Sequence, residues 1–266
     1  MTLNQTSARQ AVQRARNGSL KDLGDVLSGI VEGDLRPEHD LVALRARSTF
    51  VEDFLAASVD ARFSSTAGSG TATAVLTTVA GAVNGTATLK SASDDGANSA
   101  NNSMVTFDQL NYKASQGGLM AEIYCAISDV SEAYFFVGFT DTISTTVEGP
   151  IFMNAAVIDS DATNACGVVY DIDATTDVFT VGGVKADADT DPLLSSVTPA
   201  DNTYFRVRVE VDADGAVTGY INGAKIGTVA NAVTTSTALT PCFVIGNRSA
   251  NQVVLTVDYF AVSQNR

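Results

Sequence analysis

The stretch at 204–229, YFRVRVEVDADGAVTGYINGAKIGTV, alternates apolar and polar residues through two turns. In an extended chain, successive side chains point to opposite faces. Phe205, Val207, Val209 and Val211 therefore share one side, and Arg206, Arg208 and Glu210 the other. That is the pattern of a sheet with one dry and one wet face. A turn is expected at 212–215. Asn222-Gly223 suits a type I′ turn, which needs positive φ at both central positions. The stretch predicts a three-strand antiparallel meander.

Working outward, the period of two recurs at 73–79, 86–91, 103–110, 119–127, 134–140, 151–158, 166–172, 178–181, 241–246 and 253–262, the last ending in an aromatic pair. No helical run separates these segments. Gly, Asn and Asp turns between many short strands predict two packed antiparallel sheets, because each sheet must bury one face. The 266 residues can bury a substantial core. A chain 45% hydrophobic and 17% charged is too apolar to be disordered.

The first part of the chain reads differently. Behind Ser19, an N-cap residue, Leu20, Leu23, Val26, Leu27, Ile30 and Val31 recur at helical spacing. Pro37 suits a first helical position ahead of Leu41, Leu44, Val51, Phe54 and Leu55. Two or three amphipathic helices are predicted up to about residue 60. The division is a helical arm at 1–65 and an all-β domain at 66–266. So short an arm cannot bury its apolar faces alone, so they are expected to pack on the sandwich, a sister subunit or a larger assembly.

Charge separates the same two parts. Residues 1–65 hold 8 Lys/Arg against 9 Asp/Glu, and residues 66–266 hold 8 against 21. The acidic part repels phosphate backbones and anionic lipids, so neither nucleic acid nor membrane is an expected partner. Arg9, Arg14 and Arg16 make the first eighteen residues basic, and three arginines read as a solvated helix face. Cys125, Cys166 and Cys242 lie far apart in apolar runs and read as buried hydrophobes, consistent with a reducing cytoplasm. No apolar h-region or membrane-spanning run occurs in the sequence.

The meander, the following TALTPCFVIGNRS (residues 236–248), the closing LTVDYFAV, and the earlier MVTFDQLNY and FFVGFTDTIS together resemble the concanavalin A-like lectin/glucanase jelly roll. That fold also occurs in laminin G-type modules and in virion proteins of tailed bacteriophages. The resemblance covers roughly 66–266 and implies an antiparallel β-sandwich behind the helical arm. An arm before such a sandwich, without a leader, resembles phage structural proteins more than secreted lectins.

The family raises glycosidase chemistry, which needs two carboxylates flanking the scissile bond. Asp171 and Asp173 in VVYDIDATTD are the nearest match, but the glutamates and tryptophans of the glucanase pattern are missing, and the chain has no Trp. The pair reads as a wet strand face running into a turn. With one histidine, His39, and no GxSxG, a nucleophilic triad lacks its base. No HExxH or His/Cys cluster suggests zinc. Asp187, Asp189 and Asp191 in KADADTDP alternate as oxygen ligands for Ca²⁺ could, against a plain solvated acidic loop. Tyr112, Tyr124, Tyr134, Tyr170, Tyr204, Tyr220 and Tyr259 sit inside strand runs and read as core or sheet-face packing, with a sugar site on the sandwich-edge loops as the alternative.

These readings converge on a non-enzymatic virion structural protein, a capsid decoration or head-fibre-like component. It would be without cofactor, would assemble in the host cytoplasm, and would join the capsid or another virion protein as a homo-oligomer, a trimer above all. The alternative is a carbohydrate-binding, lectin-like module for host attachment.

Overall fold

The meander at 204–229 forms as the alternation predicts. The computed structural model describes residues 47–67, 75–83, 85–91, 102–143, 149–249 and 251–266. In chain order their strands are β1 (Arg47–Glu52), β2 (Phe63–Ala67), β3 (Thr77–Thr78), β4 (Ala87–Lys90), β5 (Asn102–Phe107), β6 (Leu119–Ile127), β7 (Ala133–Thr140), β8 (Phe152–Asn154), β9 (Val157–Asp159), β10 (Asn164–Asp171), β11 (Thr180–Lys185), β12 (Ala188–Asp189), β13 (Leu193–Leu194), β14 (Phe205–Val211), β15 (Val217–Ile221), β16 (Ala224–Val229), β17 (Thr240–Asn247) and β18 (Val254–Asn265).

Both turns of the meander are closed by the residues that signal them. Asp212 Oδ1 accepts from the amides of Asp214 (3.0 Å) and Ala216 (2.8 Å). Asn222 and Gly223 take φ of 51° and 84°, and Asn222 Oδ1 accepts from the Arg206 amide at 2.9 Å. Phe205, Val207, Val209 and Val211 are buried. The meander forms one side of a sheet ordered β16-β15-β14-β6-β18-β4-β3, with β1 also beside β18. The second sheet runs β12-β11-β10-β7-β17-β5-β2, with β13 beside β11. All pairings within both sheets are antiparallel where register is defined, giving a mainly β sandwich of two large sheets.

The core lies between the sheets. Phe135 from the second meets Phe205 from the first edge-on, with centroids 5.7 Å apart. At the other end, Phe50, Phe63, Phe107, Phe243 and Phe260 interlock at 5.0 to 6.4 Å. Phe63 is half-buried, and each of the buried rings stabilises the fold by about 1.5–3 kcal/mol relative to exposure. Cys125, Cys166 and Cys242 are buried thiols, and burial pushes the pKa of each up, keeping them protonated.

Residues 49–265 form one compact unit. The helices expected over 19–46, with Ser19, Pro37, His39 and the apolar positions up to Leu44, lie outside the described residues. The part of the helical reading that falls on 47–57 is corrected. Residues 47–52 are strand, and 53–57 contain no helix. Helical spacing grouped Val51, Phe54 and Leu55, yet Val51 and Leu55 are exposed while Phe50 and Phe54 are buried. The aromatic cluster and the β18 edge gain more from an extended segment than a helix would return, a tertiary override of a local pattern. Phe54, at φ 53°, ends the strand.

Candidate functional site

The second sheet turns Met104, Phe136, Val169, Val184 and Val244 away from the main core, and all are buried. They are covered by the chain itself. Residues 149–162 fold over that face as the β8–β9 hairpin and lay Ile151, Phe152, Met153 and Ile158 onto it, forming a second hydrophobic cluster. The fit is close: a Cβ on Gly182 of β11 would stand 1.9 Å from Ile158 Cδ1, so the glycine leaves the space the isoleucine fills.

Asp171 and Asp173 lie at one end of this face and do not present two carboxylates to a groove. Asp171 closes β10 and is fully buried. Its Oδ1 accepts from Arg248 Nε at 2.8 Å and from the Asp173 amide at 3.1 Å. Its Oδ2 accepts from the Met153 amide at 3.0 Å and from the second Arg248 nitrogen. Arg248 also stands 3.3 Å from Asp173 Oδ2 and lies over the Tyr134 ring, 4.9 Å from its centroid. The Tyr134 hydroxyl donates to the carbonyl of Ile151 at 2.7 Å, tying the hairpin down. Burial pushes the Asp171 carboxyl up in spite of Arg248 and the two amides. The wet strand face expected here is therefore a sealed ion pair at Asp171, and only Asp173 reaches solvent.

The calcium candidates are spread along a hairpin. Asp187 occupies the second position of the turn joining β11 and β12, where Ala186 and Asp187 have φ of 49° and 62°. Asp189, in β12, accepts from Ser160 Oγ at 2.6 Å, and Asp191 follows that strand. Among the described residues, no three His, Cys, Asp or Glu side chains are placed to hold a metal ion.

The outer face of the first sheet is different. Register places Tyr220, Arg208 and Glu122 side by side across β15, β14 and β6. It places Arg206, Tyr124 and Tyr259 side by side across β14, β6 and β18. The Tyr220 hydroxyl donates to Glu210 Oε2 at 2.9 Å, and the Tyr259 hydroxyl to Glu122 Oε1 at 2.6 Å. Arg208 stacks over Tyr220 at 4.3 Å and stands 3.1 Å from Glu210. Tyr124 lies 5.1 Å from Tyr204 and 6.0 Å from Tyr259, ring centre to ring centre, with Tyr204 38% exposed.

A bulge in β18 makes this platform. Val257 pairs with Cys125 and Tyr259 with Tyr124, so Asp258 is the extra residue, and both Asp258 and Tyr259 leave the core while Phe260 enters it. Burial, then the hydrogen bond and charge of Glu122, push the Tyr259 phenol up to about 12 against a lowering contribution from Arg206. Burial and the nearby Asp53 carboxylate raise Asp258. The Tyr220 and Tyr259 phenols stay protonated at neutral pH, so each of these two remains a hydrogen-bond donor held in orientation by a glutamate. The reading of the tyrosines as core or sheet-face residues holds in its core half for Tyr134 and Tyr170, which are buried. It holds in its sheet-face half for Tyr124, Tyr220 and Tyr259, with Tyr204, just before β14, against the Tyr124 ring.

No protein-family model matches the chain, and no curated protein sequence matches it. Solved structures do. A Bacillus licheniformis β-glucanase aligns at TM-score 0.50 and 12% identity, over 81% of this chain and 97% of its own. A glycoside hydrolase family 16 endo-glucanase from Bacteroides ovatus aligns at TM-score 0.54 and 9% identity, over 80% and 99%. The carbohydrate recognition domain of Emp47p aligns at TM-score 0.53 and 9% identity, over 83% and 97%.

At such identities the likeness is one of fold, that of the concanavalin A-like lectin/glucanase jelly roll. It corrects one expectation. The missing glutamate and tryptophan pattern suggested a non-enzymatic protein, yet the architecture is shared with glucanases as well as with a lectin domain. The missing motif alone is no ground for setting catalysis aside.

Proposed function

We propose that this protein is a carbohydrate-binding jelly roll whose ligand surface is the tyrosine platform on the outer face of the first sheet. The observation that carries this reading is the set Tyr124, Tyr204 and Tyr259, edged by Glu122 and Arg206. Apolar rings with fixed polar groups beside them match a sugar ring, whose C–H faces pack on aromatics while its hydroxyls bond to carboxylates and guanidinium groups. Among the described residues, the sealed face of the second sheet offers no comparable surface. The lectin-like neighbour supports the same reading at the level of fold.

The test is a glycan array, followed by calorimetry on any hit with wild type, Tyr204→Ala and Tyr259→Ala. Saccharide binding weakened in both variants supports the platform. Binding unchanged in both sinks it. The same samples are assayed for release of reducing ends, since the fold is one that glucanases use. The virion role expected from the sequence depends on residues 19–57, most of which lie outside the described residues; the platform supports carbohydrate binding in preference to it.

A further inference from the structure

We infer that the platform is the central part of a longer strip that takes a short linear stretch of neutral glycan lying across the strands. This inference rests on the carbohydrate-binding reading and adds to it the length, direction and charge class of the ligand.

The strip follows from register. Tyr220 on β15, Tyr124 on β6 and Tyr259 on β18 share one face of neighbouring strands, with Arg208 and Arg206 on β14 between the first two. Three strand spacings of about 4.8 Å separate β15 from β18, so the outer tyrosines stand roughly 14 Å apart along the sheet. One sugar ring cannot touch both ends. A chain of about three rings can, if it runs across the strands.

The two ends are built alike. Each terminal tyrosine donates its hydroxyl to a glutamate on the neighbouring strand, Tyr220 to Glu210 and Tyr259 to Glu122. Each also has an arginine beside it, Arg208 over Tyr220 and Arg206 at the Tyr259 hydroxyl. Rings held this way lose little freedom on binding, which favours affinity. The charges are largely engaged within the face: Glu210 with Arg208 and Tyr220, Glu122 with Tyr259. A chain of formal net charge −14 also repels polyanions. A neutral ligand is the one this surface fits.

The experiment is calorimetry of the full chain with cello-, xylo- and N-acetylchito-oligosaccharides from monosaccharide to hexasaccharide, with oligogalacturonates as the anionic series. The expected result is affinity that climbs about tenfold or more up to the tri- or tetrasaccharide of at least one neutral series and then levels off. It should change little with added salt. Tyr220→Ala should reduce the tetrasaccharide to disaccharide affinity, and Tyr220→Phe, which keeps the ring, should retain most of the length dependence. Thermal melting of each variant shows that the fold is kept. Binding that ignores length, a Tyr220→Ala variant as length-sensitive as wild type, or preference for the anionic series would overturn the strip while leaving a single-sugar platform standing. Silence of every series with folded protein would overturn both readings.

Discussion

On the second sheet, Met104, Phe136 and Val244 turn outward into a hairpin of the same chain, whereas on the first sheet Tyr124, Tyr220 and Tyr259 turn outward into solvent. Both faces come from strands paired in the same antiparallel way. They differ in what alternates with the core residues: apolar side chains and glycines on one, aromatic and charged side chains on the other. An apolar outer face must be covered, and residues 149–162 cover it; a polar aromatic face can stay open and meet a ligand. One face of such a sandwich can thus be closed by its own chain while the opposite face remains available.

The sharpest way to break this contrast is at the seal. Asp171→Asn would leave the buried Arg248 with only the exposed Asp173 carboxylate, 3.3 Å away, and we expect a loss of about 3 kcal/mol in denaturant unfolding. A loss below about 1 kcal/mol would mean the ion pair does not hold that end of the face shut.

Next comes the knob of the hairpin. Ile158→Ala should cost about 2–4 kcal/mol through the cavity left over Gly182. Gly182→Ala alone should cost about 1–3 kcal/mol by overpacking. The double variant should be more stable than the sum of the two, because the new methyl enters the space the isoleucine leaves. Simple additivity would show that the two residues are not in contact.

On the open face the effects should be in binding. Tyr204→Ala should weaken a bound saccharide about three- to tenfold in calorimetry, the worth of one exposed aromatic contact, with little change in melting temperature. A fall in stability as large as that of Ile158→Ala would place Tyr204 in the core and erase the distinction between the faces.

The smallest effect concerns pH. Tyr259 ionises at about 12 in the folded chain, above the ordinary phenol value near 10. Its contribution to stability is therefore complete below about pH 10 and is lost as pH rises through about 12. Glu122→Gln removes the charge but not the burial, so ultraviolet difference titration should show this phenol ionising at lower pH, though still above an exposed tyrosine. An unchanged titration would mean that Glu122 does not orient the ring.

Much of the sandwich was legible in the sequence because a period of two and an Asn-Gly turn are local signals. Strands near 119–127, 134–140, 204–211 and 241–246 lie where alternation puts them. The run at 151–158 read as one strand and is a hairpin, since Ala155 takes a φ of 54° that no Gly or Asn announces. The segment at 47–52 read as helix because spacing alone cannot say whether Phe50 or Val51 finds a partner. Arg248 was not singled out at all: its carboxylate lies 77 residues earlier, a separation that no local pattern spans.

By itself, the sequence determined the class of fold and the wet and dry sides of the meander, because alternation commits each side chain to a face before any strand finds its neighbour. Only the tertiary structure decided which wet face stayed open. Strict alternation from Val257 would send Tyr259 inward and Phe260 outward. The bulge at Asp258 reverses them, because the cluster around Phe107 and Phe243 takes Phe260 and leaves the tyrosine, with its hydroxyl, to Glu122.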